Sequence, residues 1–223
     1  FVRDDLKERA NKTVAEINQM VAANKVGGTV KFLSEFAEDE LTISHNSYIT
    51  MATGLLNQAA SSELTSIAIY DVDGALQTYA AASGTAGYQF GFVHQGTVHQ
   101  SSADASTTTV SDEWKQQKGL GGLALAGQYG ASRPDKPTVA FSAIGNKLGL
   151  QVLLPIIALD FDDNGDDVMK PFGTLEAFKI LDQEVVARLA KLTGMAVNIF
   201  VDNQFSMGDL PDYQTLELNR GET

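Results

Sequence analysis

The sequence predicts an α+β fold, with helices first and antiparallel strands after, and three observations carry that prediction. Apolar residues recur at helical spacing through the first quarter of the chain. From about residue 65 the period shortens to that of strands, and short β-rich runs are separated by turn pairs such as Asp-Gly and Gln-Gly. After that only a glycine-weakened helical stretch at 112–127 and one short helix near residue 185 return, so the regular strand–helix alternation of a doubly wound parallel sheet is absent.

The elements follow in order. Residues 3–24 predict a helix, because Leu6, Ala10, Thr13, Ile17 and Met20 recur at spacings of four and three. That seam is thin, so it suits one line of contact with its own domain or with a partner helix. Gly27 and Gly28 are expected to end the helix. Residues 29–37 and 47–60 predict further helices, with Ile49, Ala52, Leu55, Leu56 and Ala59 along one face of the second. Residues 65–70 and 75–80 flank the turn Asp71-Val-Asp-Gly74 and predict a hairpin. Residues 88–99 suit a strand or a hairpin turning at Gln95-Gly96, and residues 101–111, small and polar, predict a loop. Residues 112–127 predict a helix weakened by Gly119, Gly121 and Gly122. Strands are expected at 139–143 and 149–159 around Gly145-Asn146, then an acidic loop at 160–167 and a strand at 172–181. Asp182 is placed to cap a helix over 183–192 that Gly194 stops. Residues 195–201 and 205–218 predict two last strands around Asp202-Asn203. The chain thus divides into a helical part, residues 1–62, and a sheet module, residues 63–223, with the module expected to be cut short at its C-terminal end.

Composition narrows the function. The net charge is -12, which repels phosphate backbones and argues against nucleic acid as a partner. No cysteine is present, so disulfides, thiolate metal sites and cysteine nucleophiles are excluded. Between Lys31 and Lys115 there is no Lys or Arg, although ten Asp and Glu residues lie there. A neutral or cationic ligand fits that stretch better than an anion. No apolar run approaches the ~20 residues of a membrane helix. There is no Gly-x-Ser-x-Gly, no His-Glu-x-x-His and no phosphate loop, so the expectation is that the protein is not an enzyme.

Four segments carry a family resemblance. They are the N-terminal helix leading into Leu64-Thr-Ser-Ile-Ala-Ile-Tyr-Asp-Val-Asp-Gly74, then Gly122-Leu-Ala-Leu-Ala-Gly127, then Leu148-Gly-Leu-Gln-Val-Leu-Leu-Pro-Ile156. The last is Gly173-Thr-Leu-Glu-Ala-Phe-Lys-Ile-Leu-Asp182, followed by a helix and Thr193-Gly194. In this order they resemble the Cache family of extracytoplasmic sensor domains, found in bacterial chemoreceptors, sensor histidine kinases and cyclases. The resemblance implies a PAS-like antiparallel sheet with flanking helices, a long N-terminal helix rising from the membrane, and a small-molecule pocket on one sheet face. It implies a signal-input role in chemotaxis or two-component signalling, in the periplasm or outside the cell. The membrane would be met only through helices outside this chain. Self-association would run through the N-terminal helix in the full receptor, leaving the isolated domain a monomer or weak dimer. The alternative is a dimerisation module that binds no ligand.

Candidate sites come from the aromatic and acidic segments. The ligand is expected among the middle-segment aromatics Tyr88, Phe90, Phe92, Trp114, Tyr129 and Phe141, with Arg133 able to pair with a ligand carboxylate. Each aromatic has core packing as its alternative, and Arg133 an exposed turn. Asp160, Asp162, Asn164 and Asp166, with Gly165 among them, match the first half of a calcium loop, so a calcium ion is the one cofactor suggested. The twelfth position of that loop is Pro171 rather than Glu, and a solvated hairpin turn is the competing reading. His94 and His99, five apart, would face opposite sides of a single strand, whereas a hairpin between them would bring them together.

Overall fold

The computed structural model describes residues 2–23, 25–83, 87–104, 113–121, 125, 134–210 and 212. Three helices come first: α1 (Val2–Ala23), α2 (Val26–Glu35) and α3 (Leu41–Ser61). Ala10, Ile17 and Met20 of the expected seam are buried, and Val14 and Val21 pack beside them. The break after α1 does not fall on the glycines. Lys25 takes a left-handed conformation with φ 50°, and Gly27 and Gly28 lie inside α2. Gly27 instead permits a close approach. A Cβ there would stand 2.3 Å from the Ile157 carbonyl oxygen, so its bare backbone lets α2 lie against a strand. The helix expected at residues 47–60 starts six residues earlier, at Leu41.

The strands are β1 (Ser66–Asp71), β2 (Leu76–Ser83), β3 (Gly87–His94), β4 (Thr97–Asp104) and β5 (Lys115–Lys118), then β6 (Thr138–Ile144), β7 (Lys147–Phe161) and β8 (Asp167–Ile180). They form one sheet in the order β5-β4-β3-β2-β1-β8-β7-β6. Every pairing is antiparallel. The first strand and the last lie side by side at its middle, with Ile67 opposite Ala177. The Asp71–Gly74 turn closes as its sequence suggests: the Asp71 carboxylate accepts from the Asp73 and Ala75 N–H groups at 2.9 and 2.8 Å. At the β3–β4 turn Gln95 and Gly96 both have positive φ, 47° and 74°, as a two-residue hairpin turn requires.

Two expectations need correction. Residues 101–104 extend β4, and residues 115–118 are not helical: Lys-Gln-Gln-Lys forms β5 against β4. The glycines after it, Gly119 and Gly121, have φ of +81° and +61°, which helical backbone does not allow. After β8, α4 (Gln183–Thr193) starts at Asp182, whose side chain accepts from the Val185 N–H, and ends at Gly194 with φ 69°. A separate hairpin, β9 (Asn198–Val201) and β10 (Gln204–Gly208), completes the described chain; the strand expected to run on to residue 218 passes outside the described residues.

One core joins the helices to one sheet face. It holds Ile17, Val30, Leu33, Leu55 and Leu56 from the helices, with Ile67, Ile69, Phe90, Phe92, Val152, Leu154 and Leu175 from the strands. The turn from α3 into β1 is gripped by two strands. The Tyr88 hydroxyl of β3 is shared between the Ala59 and Leu64 carbonyls at 3.2 and 3.1 Å, and the Lys179 ammonium of β8 donates to the Ser62 carbonyl at 3.1 Å. No described helix is long and apolar enough to cross a membrane.

Candidate functional site

Strand residues alternate between faces, so those next to the helix-facing set look the other way. On that far face one row crosses all eight strands: Lys115, Gln100, Gly91, Tyr79, Ala68, Glu176, Leu153 and Thr138. Its middle is buried. Glu176 is 2% exposed and Tyr79 is 0% exposed. Ala68, Tyr70, Tyr79 and Val98 form a second apolar cluster, with Leu120 and Leu125 packed on it. Leu120 and Leu125 therefore cover part of this face.

The polar groups in this row are oriented. The Gln151 amide donates to one oxygen of the Glu176 carboxylate at 2.7 Å. The Tyr79 hydroxyl and the Gln117 amide both donate to the Gln100 side-chain oxygen, at 2.9 and 3.1 Å. Burial pushes the Tyr79 hydroxyl far above its ordinary pKa, so it stays a neutral donor at any physiological pH. A carboxylate in the middle of a sheet is costly to bury unless it is hydrogen-bonded, and Glu176 stands between Ala68 and Leu153 of the neighbouring strands with the Gln151 amide on it. Apolar walls with a few fixed polar groups are the make-up of a small-molecule site.

The sequence pointed elsewhere. Tyr88, Phe90 and Phe92 stand on the helix-facing side of β3, where Phe90 and Phe92 are fully buried in the core. Trp114 lies 5.5 Å from both of their rings. Phe141 is 51% exposed and lines a cleft of about 500 Å³ between α1, the end of α3 and the start of α4. That cleft also holds Lys12, Glu16, Glu63, Lys179 and Asp182, charges of both signs. Tyr129 and Arg133 lie outside the described residues. Sequence reasoning missed Glu176, Gln151, Gln100 and Gln117. One signal was legible: a Glu inside the run Thr-Leu-Glu-Ala-Phe, in a strand bracketed by apolar residues.

The acidic segment is a tight turn. β7 and β8 extend to Phe161 and from Asp167, leaving residues 162–166 as the loop. Asp160 meets the ammonium groups of Lys31 from α2 and Lys170 from β8 at 2.9 Å each. Their hydrogen bonds, Lys31 foremost, hold its carboxyl well below the usual carboxylate range. The Asp162 side chain accepts from the Asn164 and Asp166 N–H groups at 2.8 and 2.9 Å, and these bonds lower its pKa. Asp160 is thus engaged by lysines and Asp162 by the turn. Among the described residues no three His, Asp or Glu side chains gather as a metal site. His94 and His99 share the helix-facing side, because the Gln95-Gly96 turn folds one strand back on the other.

No protein-family model matches the chain, and no curated protein sequence does. The fold and the row around Glu176 define a mixed α+β domain with a large antiparallel sheet, one face committed to helices and the other carrying buried polar groups.

Proposed function

We propose that this chain is a signal-input domain that takes up a small neutral or cationic molecule on the sheet face away from its three N-terminal helices. The observation that carries the reading is the buried Glu176 carboxylate in the middle of that face, flanked by Ala68 and Leu153, with Tyr79 next beyond Ala68. Two features support it. The sequence supplies no Lys or Arg from residue 32 to residue 114, which includes β1 to β4. The strands β2-β1-β8-β7-β6, with β1 and β8 adjacent at the centre, are compatible with a PAS-like, Cache-type sheet. In this reading the domain belongs to a membrane receptor and works in the periplasm or outside the cell. Ligand binding changes how the sheet packs on the helices, and α1 passes the change on. Such coupling requires that the ligand bind the two packings with different affinity.

A thermal-shift screen of amines, amino acids, dicarboxylates and purines tests the reading. At 100 times its dissociation constant a ligand stabilises the fold by about 2.7 kcal/mol, roughly 5–10 °C for a domain of this size. Glu176→Gln should keep the fold and lose the shift given by an amine. Shifts produced only by dicarboxylates, and untouched by Glu176→Gln, would overturn it.

A second reading, a dimerisation module that binds no ligand, is favoured by one observation. Beyond the main sheet the β7–β8 hairpin exposes Ile157, Leu159, Phe161 and Met169, which are 45 to 64% exposed. Paired positions place them on a single side of the hairpin. Sedimentation showing a tight dimer, with no ligand found in the screen, would decide for it.

A further inference from the structure

All three histidines of the chain lie against one stacked pair of rings, Phe92 and Tyr48. Phe92 on β3 is stacked between Tyr48 of α3 and His99 of β4, with centroids 4.7 Å away on each side and interplanar angles of 14° and 5°. His45 of α3 meets Phe92 edge-on at 6.0 Å, and His94 of β3 meets Tyr48 edge-on at 5.9 Å. His94 and His99 are 7% and 6% exposed. The buried Nδ1 of His94 has no hydrogen-bond partner. These contacts join α3 to β3, and His99 ties β4 into the same stack.

We infer that His45, His94 and His99 form an acid-sensitive latch, which holds α3 on the β3–β4 ladder while they are neutral and loosens it when they take up protons. The inference concerns the helix-facing side of the sheet and does not rest on the ligand reading. A neutral imidazole packs as a flat, largely apolar ring and tolerates one bare nitrogen; an imidazolium carries two N–H donors and a charge. Protonating His94 would aim a new donor into a place with no acceptor. One imidazolium on the Phe92 face would gain cation–π attraction, but a second and a third would repel it across a buried cluster.

The groups facing the cluster do not supply the missing countercharge. From α3 they are His45 and Tyr48, from β3 His94, and from β4 His99. β5 presents Gln116 opposite His99, and Glu113 beside Trp114 is exposed. Asp71 at the β1–β2 turn lies near enough to raise the Tyr48 pKa, after burial, but its carboxylate is engaged by the Asp73 and Ala75 N–H groups. Glu38, Asp39 and Glu40 are at the surface, and the first two reach the β3–β4 turn through carbonyls that accept from the Gln95 amide. The His99 pKa lies below its ordinary 6.5, through burial first and then the fields of His45 and His94. A lowered histidine pKa stabilises the fold fully above the unfolded value, and that stability is lost as pH falls through the folded value.

The single tryptophan, Trp114, touches Phe90 and Phe92 at 5.5 Å and so reports on the latch. The experiment follows its fluorescence and the melting temperature of the whole chain from pH 8 to pH 5. Below pH 6.5 the emission should change reversibly, with a melting temperature lower by about 3 °C or more for each tenfold loss in the folded-to-unfolded ratio. The triple variant His45→Gln, His94→Gln, His99→Gln should flatten both responses. Should it not fold, the half-buried His45→Gln alone should reduce the pH dependence, with histidine proton signals in the wild type titrating together with the Trp114 change. A wild type indifferent to pH down to 5, or a His45→Gln protein with the full wild-type response, would falsify the latch.

Discussion

The two faces of the sheet are filled by different rules. Towards the helices the strands present Ile67, Ile69, Phe90, Phe92, Val152, Leu154 and Leu175, and the three helices close over them. Away from the helices, the sheet presents Tyr79 bonded to Gln100 and Gln151 bonded to Glu176. Burial alone does not distinguish them, because Glu176 and Tyr79 are as deep as the core residues. The first face spends apolar area on stability. The second keeps polar groups that a purely structural sheet would replace with Leu or Val, because a buried hydrogen-bonded group is close to neutral for stability while an apolar one is favourable.

That contrast can be broken at chosen residues. Phe92→Ala removes a fully buried ring that contacts Tyr48, His45, His99 and Trp114, and should cost about 3–5 kcal/mol in urea unfolding. A loss below 1 kcal/mol would mean the helix-facing core is not the main source of stability. Gly27→Ala puts a methyl group 2.3 Å from the Ile157 carbonyl oxygen, so α2 must shift, at about 1–3 kcal/mol by thermal melting. The same change at Gly28, where a Cβ meets nothing within 4 Å, should be neutral or slightly stabilising. On the far face Tyr79→Phe removes one hydroxyl bond to Gln100 and should cost only about 1 kcal/mol. A larger fall in ligand-induced shift than in stability would mark that bond as part of the binding face.

The smallest effect is expected at the hairpin tip, and it disappears in acid. Asp160 has its pKa depressed by Lys31 and then Lys170, so what it contributes is present above its ordinary value of 3.8 and lost as pH falls through the folded value. In a stability–pH profile Asp160→Asn should therefore lower the curve slightly near neutrality, the pair being partly solvated, and meet the wild-type curve as pH falls through the folded value, so that the acid limb is flatter.

Much of the fold was legible in the sequence because local chemistry decided it. Asp182 and Gly194 bound α4, and Asp-Gly and Gln-Gly close two hairpins, since each of those residues satisfies a specific backbone need. What local chemistry could not give was which residues meet. Gly27 reads as a helix stop until Ile157, 130 positions on, lies against it. Lys115-Gln-Gln-Lys118 has helix-forming residues and becomes a strand because β4 offers an edge to pair with. The site was harder still. Aromatic residues drew attention to β3, whose rings fill the core, while Glu176 becomes conspicuous only once β1 and β7 enclose it. The histidine cluster needed a hairpin to fold His99 back beside His94, and a helix 49 residues earlier to bring His45.

The grip on the turn between α3 and β1 bears on how the chain can be taken apart. Glu63 holds a left-handed conformation at φ 52°, while Tyr88 from β3 and Lys179 from β8 hold the carbonyls around it. Helix layer and sheet are fastened where they meet in sequence, and they share one interior besides. The natural place to divide a gene into a helical fragment and a sheet fragment is therefore where the product would tolerate cutting least. After a protease nick at Ser62 the two fragments would stay joined by that interior and melt together as one cooperative unit, because parting them would leave Phe90, Phe92 and Ile67 facing water.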